Sequence, residues 1–270
     1  MMPSPALPGR IAHHRLPYRV VGGLLGSAAV LRPRSFARDA QMAMASAYPA
    51  PEVLGCEHIP PRGPCLVVCN HYSRPGLGAW WTVLTIASAV AARRAPDADA
   101  EIHWVMTAAW TFPASAWRRR VLTPLTRWAF ARAARVYGFV TMPPMPPDPR
   151  EVEQRALAVL RTVRLARRAA LEGGMVGLAP EGRDFPAGLG EPPEGAGEFM
   201  ALLVRTGLPV LPVGVSEPEG RLRVSFGSLF VPDVPPQRAS RDRAVSQQVM
   251  AAIALQLPAS LAMVADPSHG

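Results

Sequence analysis

Five consecutive apolar residues, Cys65, Leu66, Val67, Val68 and Cys69, are closed by the polar pair Asn70 and His71 and then by Ser73, Arg74, Pro75 and Gly76. An apolar run without alternation, this short and ended by polar and Pro/Gly residues, predicts a strand buried on both faces of a parallel sheet. Its carboxyl end then delivers Asn70 and His71 to the crevice where open α/β sheets bind ligands. The pattern recurs at residues 175–178, closed by Pro180, Glu181, Gly182 and Arg183, and again at residues 207–215, GLPVLPVGV. Residues 102–106 (IHWVM) and 135–140 (RVYGFV) predict two more strands.

Helical patterns lie between these runs. Ser73 as a cap, or Pro75 in a first turn, is expected to open a helix through residues 77–94, which are apolar nearly all round and so are either deeply buried or partly in lipid contact. Asp148, Pro149 and Glu151 form a cap, first turn and capping box ahead of an apolar stripe of Val152, Ala156, Val159, Leu160 and Val163, and Gly173 and Gly174 end that helix. Further helices are expected over residues 197–207 and 242–257. Strands alternating with helices predict an α/β fold, a layered, mixed but mostly parallel sheet flanked by helices. No internal repeat is visible.

A chain of 270 residues holds one α/β domain of about 200 residues with an extension, rather than two full catalytic domains. The division expected is residues 1–50 as an N-terminal helical segment in contact with membrane, 51–257 as the α/β domain and 258–270 as a loosely ordered tail.

Charge narrows the partners. The sequence contains no lysine, and its 29 arginines against 20 acids give a formal charge of +9, a balance that favours lipid headgroups, nucleic acids or phosphorylated substrates. The apolar run at residues 20–31 is bracketed by Arg15 and Arg19 before it and Arg32, Arg34 and Arg38 after it. Such a helix either lies in a headgroup layer or packs on the domain with its arginines in water. It and the apolar run at 77–92 both fall short of the roughly 20 residues that span a bilayer. The first fifteen residues carry proline where a secretory signal would be apolar.

No acid occurs between Glu101 and Asp148, a stretch holding Arg118, Arg119, Arg120, Arg127, Arg132 and Arg135, and all six tryptophans lie between Trp80 and Trp128. Indole at headgroup depth and guanidinium against phosphate make this a membrane-interface composition, placing the protein at the cytoplasmic face of the membrane as a peripheral partner of anionic lipid. Single-stranded nucleic acid could use the same residues, but no RNA-binding motif accompanies them, and nucleic acid is not expected as a partner.

Asn70 is the only asparagine in the chain, so its amide is expected either to serve the site or to supply a turn hydrogen bond. Cys56, Cys65 and Cys69 make no disulfide framework in a chain of this size and read as reduced core cysteines. A zinc site from Cys65, Cys69 and His71 fits no usual spacing and lacks an evident fourth ligand, so no metal is expected.

The segment 53–76, VLGCEHIPPRGPCLVVCNHYSRPG, resembles the first block of the glycerolipid acyltransferases, the family that includes the 1-acylglycerol-3-phosphate O-acyltransferases, with signature N-H-x-S-x-x-D. Asn70, His71 and Ser73 match it, and Gly76 stands where the family has aspartate. Pro180, Glu181, Gly182 and Arg183 resemble the F-P-E-G-T-R block without its threonine, residues 207–215 resemble the fourth block, and residues 221–233 match the strand pair that follows; Met142 and prolines occupy the place of an acceptor-binding arginine. The likeness runs from Pro51 to about Asp233. It implies acyl transfer from acyl-CoA or acyl carrier protein, substrates rather than cofactors, to the hydroxyl of a lysophospholipid or glycerol phosphate-like acceptor. His71 would be the general base, with Asn70 and Ser73 beside it, and Glu181, Gly182 and Arg183 would bind substrate. Arg74 could grip a phosphate bidentately, or could be a surface arginine at a helix start. With glycine at 76, Glu181 and Asp184 are the candidate substitute acids, and the alternative is an impaired relative that binds lipid or acyl donor without turnover.

Overall fold

The computed structural model describes residues 16–112, 115–144, 148–183 and 189–262. Within them, β1 (Glu52–Leu54), β2 (Cys65–Cys69), β3 (Ile102–Thr107), β4 (Val140–Met142), β5 (Met175–Leu178), β6 (Val210–Ser216) and β7 (Arg223–Phe226) form one seven-stranded sheet in the order β1-β7-β6-β2-β5-β3-β4. Every neighbouring pair is parallel except β6 and β7. The helices are α1 (Tyr18–Val30), α2 (Phe36–Met44), α3 (Ala79–Arg93), α4 (Ala116–Tyr137), α5 (Val152–Glu172), α6 (Ala196–Val204), α7 (Arg238–Ala254) and the short α8 (Ala259–Ala262).

β2 is the central strand, and its sequence shows why. Side chains alternate between the faces of a strand: Cys65, Val67 and Cys69 enter a core with α2 and α3, through Phe36, Ala40, Trp81 and Ile86. Leu66 and Val68 enter the opposite core with α5, α6 and α7, through Ala166, Met200, Leu203, Val249 and Ile253. An unbroken apolar run is what a strand with helices on both faces requires, each such side chain contributing about 1.5–3 kcal/mol of burial.

One close approach fixes a neighbour. Gly177 of β5 pairs in register with Trp104 of β3, and a Cβ there would lie 2.5 Å from the indole. Glycine lets the ring lie across the sheet and become buried.

Several expectations are corrected. Residues 74–77 close a tight turn, with Leu77 N donating to Arg74 O at 2.9 Å and Arg74 N to Leu77 O at 3.0 Å, so α3 begins only at Ala79. Residues 135–137 belong to α4, which stops at Gly138 (φ +69) before β4. Asp148 caps its turn as expected, accepting from Arg150 N at 2.9 Å, but the buried face of α5 is Ala158, Thr162, Ala166 and Ala169. Val152 and Leu160 of the expected stripe are exposed, because the face against the sheet is built from small side chains. Trp81 and Trp104 are core residues, not interface residues. Arg34 pairs with buried Asp39 instead of facing water.

α2 packs into the same core as α3, whereas α1 buries only Val20. The tail is tied as far as Leu261, whose carbonyl accepts from Leu189 N at 3.2 Å. Among the described residues no helix is long and apolar enough to cross a membrane. The fifteen N-terminal residues with the expected absence of a signal, and the tail after Ala262, lie outside them.

Candidate active site

Three adjacent parallel strands, β5, β2 and β6, end side by side, and each is followed at once by chemistry-bearing residues: Glu181 after β5, Asn70 and His71 after β2, and Glu217 after β6. Parallel neighbours necessarily bring their carboxyl ends to one edge, where side chains are released from the sheet.

Asn70 is 4% exposed. Its Nδ2 donates to Val215 O at 2.9 Å and its Oδ1 accepts from Val215 N at 2.7 Å, so the amide fastens the end of β2 to β6. Glu181 is 1% exposed and joins the loop after β2 to its own, accepting from the backbone N–H of His71 and from Gly190 N at 2.5 Å. His71 is therefore held through its backbone from one side and through its preceding residue from the other. Its imidazole is partly buried, as is Ser73, whereas Gly182 and Arg183 are exposed. Asp184 lies outside the described residues.

Arg74 forms a two-pronged ion pair with Glu217, and its third nitrogen donates to Pro75 O at 2.8 Å. Tyr72 OH adds a bond to the same carboxylate at 3.3 Å. Hydrogen bonding to Glu217 raises the guanidinium above its ordinary pKa, and burial, then Glu217, raises the Tyr72 phenol. The bidentate edge of Arg74 is thus directed to a protein carboxylate. Sequence reasoning missed Glu217, although its signal was present: an acid directly after a fully buried strand, as Glu181 stands three residues past the fully buried β5.

Burial pushes the Cys65 and Cys69 thiols up to about 12, with Glu181 adding to the effect at Cys69. Thiols so protonated serve as packing, not as nucleophiles or metal ligands. Among the described residues no group of three or more His, Cys, Asp or Glu side chains is placed to hold a metal ion. What remains is a partly buried imidazole on a doubly tethered backbone at the carboxyl end of the central strand. That suits proton transfer to and from a bound hydroxyl.

No family model matches the chain, and no curated protein matches it. Among solved structures it is similar to the crystal structure of the 1-acyl-sn-glycerophosphate acyltransferase PlsC from Thermotoga maritima, with 16% sequence identity, 86% of this chain and 87% of that chain covered, and a TM-score of 0.47. At that score the likeness lends no weight to any reading of this chain.

Proposed function

We propose that the chain is an acyltransferase of the glycerolipid type, moving a fatty acyl group from a CoA or acyl carrier protein thioester to the hydroxyl of a lysophospholipid or glycerol phosphate-like acceptor. The observation that carries it is His71, in its Asn-His-x-Ser context, held at the carboxyl end of the central strand by Glu181 from the Pro-Glu-Gly-Arg turn. His71 takes the acceptor's hydroxyl proton as the oxygen attacks the thioester carbonyl. The tetrahedral intermediate collapses, the C–S bond breaks, and the leaving thiolate takes the proton from the imidazolium. Exposed Arg183 meets an anionic acceptor, with Gly182 allowing close approach. No cofactor is required.

The site works at a membrane surface. Trp117, Val121, Leu125 and Trp128 recur at helical spacing along α4 and are 65%, 46%, 54% and 58% exposed, with Arg118, Arg119, Arg120 and Arg127 around them. An exposed apolar stripe in an acid-free, arginine-rich helix supports peripheral docking on the anionic cytoplasmic leaflet.

Thiol release from an acyl thioester in the presence of lysophospholipid acceptors tests the chemistry. His71→Ala is expected to lower kcat by about 10²–10⁴ while acyl-donor binding persists; an unchanged rate would place the chemistry elsewhere. A second reading, binding without turnover, draws on Gly76, whose φ of +88° suits glycine where the resemblance implies aspartate. Donor binding by a wild type that releases no thiol would favour it.

A further inference from the structure

We propose that the elbow between α1 and α2 is a binding site for a phosphate monoester or diester anion, remote in sequence from the strand-end site. A cavity of about 400 Å³ opens there, and Ser27, Arg32, Arg34, Ser35, Arg38 and Asp39 are among its lining residues. That volume suits a small polar ligand or a lipid headgroup.

The charge of the cavity follows from which groups are already committed. Asp39, 2% exposed, accepts from Arg34 (2.7 Å from Nη2, with a second bond from Nε) and from Tyr137 OH at 2.7 Å. Its charge is therefore spent on Arg34, whose guanidinium lies over Gly23 so closely that a Cβ there would meet it at 2.5 Å. Glu101 accepts from Ser35 and from the first amides of α2, Phe36 N at 3.0 Å and Ala37 N at 3.2 Å. The start of α2 is thereby satisfied internally and is not the anion site. Arg32 and Arg38 remain, exposed and without an ion pair among the described residues. Arg32, Arg34 and Arg38 against Asp39 leave the lining with two positive charges in excess, one of them offset by the Glu101 carboxylate behind Ser35, on a wall tied by the Arg34–Asp39–Tyr137 bonds. Exposed guanidinium groups among the lining of one cavity match phosphate oxygens in charge and hydrogen-bonding geometry.

Position indicates the source of the phosphate. α1 ends at the cavity, and Tyr18, Val21, Leu25 and Val30 of that helix are exposed. A lipid whose headgroup entered the cavity would lay its chains past Val30 at this end of the helix, since Tyr18, Val21 and Leu25 recur on the face turned away from Ser27. This assignment to lipid, though not the anion site itself, rests on the membrane reading above.

The test uses the full chain, its double variant Arg32→Ala/Arg38→Ala, and a charge-matched control on the exposed face of α5, Arg164→Ala/Arg167→Ala. Inorganic phosphate is titrated by calorimetry and by the Nε–Hε resonances of arginine, and phosphatidylcholine vesicles with and without phosphatidic acid are used for flotation. Saturable phosphate binding is expected in wild type and control and weakened about tenfold or more in the elbow variant. Absent saturation in wild type, or equal binding in the elbow variant, would overturn the site. Loss of flotation in the elbow variant beyond that of the control assigns the phosphate to lipid. Phosphate binding with flotation equal in the two variants supports the site with free phosphate as its ligand. Failure of wild type to float at all removes the membrane reading and leaves the phosphate result to decide the site. Unchanged thermal unfolding of both variants shows that they fold.

Discussion

The side-chain amide of Asn70 spans the backbone of Val215, donating to its carbonyl at 2.9 Å and accepting from its N–H at 2.7 Å. The chain's only asparagine extends the β2–β6 ladder one step beyond the strand, with a side chain imitating a peptide. Leucine would leave a buried donor and acceptor unsatisfied, and aspartate would set a carboxylate oxygen against a carbonyl. Asn70→Leu is expected to cost about 2–4 kcal/mol and Asn70→Asp at least as much, read from urea midpoints at unchanged slope. A loss under 0.5 kcal/mol in both would mean that the clasp does not hold the strand ends together.

Glu181 makes a related prediction across the other side of β2. Its two oxygens accept from His71 N and Gly190 N. Glutamine must present an NH₂ to one of these donors, so Glu181→Gln is expected to destabilise by about 1–3 kcal/mol. Faster amide exchange at His71 and Gly190, with unchanged protection in the centre of β2, would show that the tether itself has been loosened.

What could be read in the sequence depended on whether a residue's partners were near in the chain. β2 and β5 were legible because burial on both faces leaves an unbroken apolar run, and the start of α5 was legible because Asp148 caps a residue two positions on. Glu217 was not, because its meaning comes from Arg74, 143 residues away. The apolar stripe of α5 misled for a different reason: the sheet takes small residues at Ala158, Ala166 and Ala169, leaving Leu160 in solvent, and hydrophobicity alone ranks leucine above alanine. The end of α4 was misread because Val136 and Tyr137 favour strands, whereas burial of both in the helix's last turn overrides that preference.

Arg94 was read only as the end of a helix, yet it is 6% exposed and supports the other end of the sheet. Its guanidinium donates to the carbonyls of Asp99 (2.8 Å), Pro60 (3.3 Å), Gly63 (2.7 Å) and Gly173 (2.6 Å), gathering three loops. Burial lowers its pKa, so the charge is maintained by these dipoles. Arg94→Met is expected to cost about 3–5 kcal/mol by thermal or urea unfolding, and Arg94→Lys to recover only part, since an ammonium cannot span four acceptors.

Alkaline pH should weaken the fold through the thiols. Cys65 and Cys69 ionise near 9.0 when unfolded and only near 12 when folded. Their full contribution is therefore present below pH 9. Between pH 9 and 12 the unfolded state sheds protons that the native state keeps, and stability falls by about 1.4 kcal/mol per pH unit per thiol. Cys65→Ala/Cys69→Ala should flatten this slope while lowering stability at pH 7. In the native protein both thiols should resist a water-soluble disulfide reagent that labels them at once in urea.

Gly76 ties the resemblance to the backbone. Arg74, Pro75, Gly76 and Leu77 close a turn in which proline takes the second position and Gly76, at φ +88°, the third, the arrangement of a type II turn. The turn delays α3 to Ala79 and sets Arg74 where it reaches Glu217. An aspartate at 76, which the family signature would supply, must adopt the left-handed region, at a cost of about 1–2 kcal/mol, somewhat less for asparagine and more for valine. Gly76→Asp is therefore expected to lower stability without raising thioester turnover, because a carboxylate introduced on this turn follows a backbone shaped for glycine. Stability loss in the order Val, Asp, Asn would confirm that φ sets the choice of residue. A Gly76→Asp protein that is as stable as wild type and faster would instead show that the turn readily accepts the acid and that the missing carboxylate had limited the reaction.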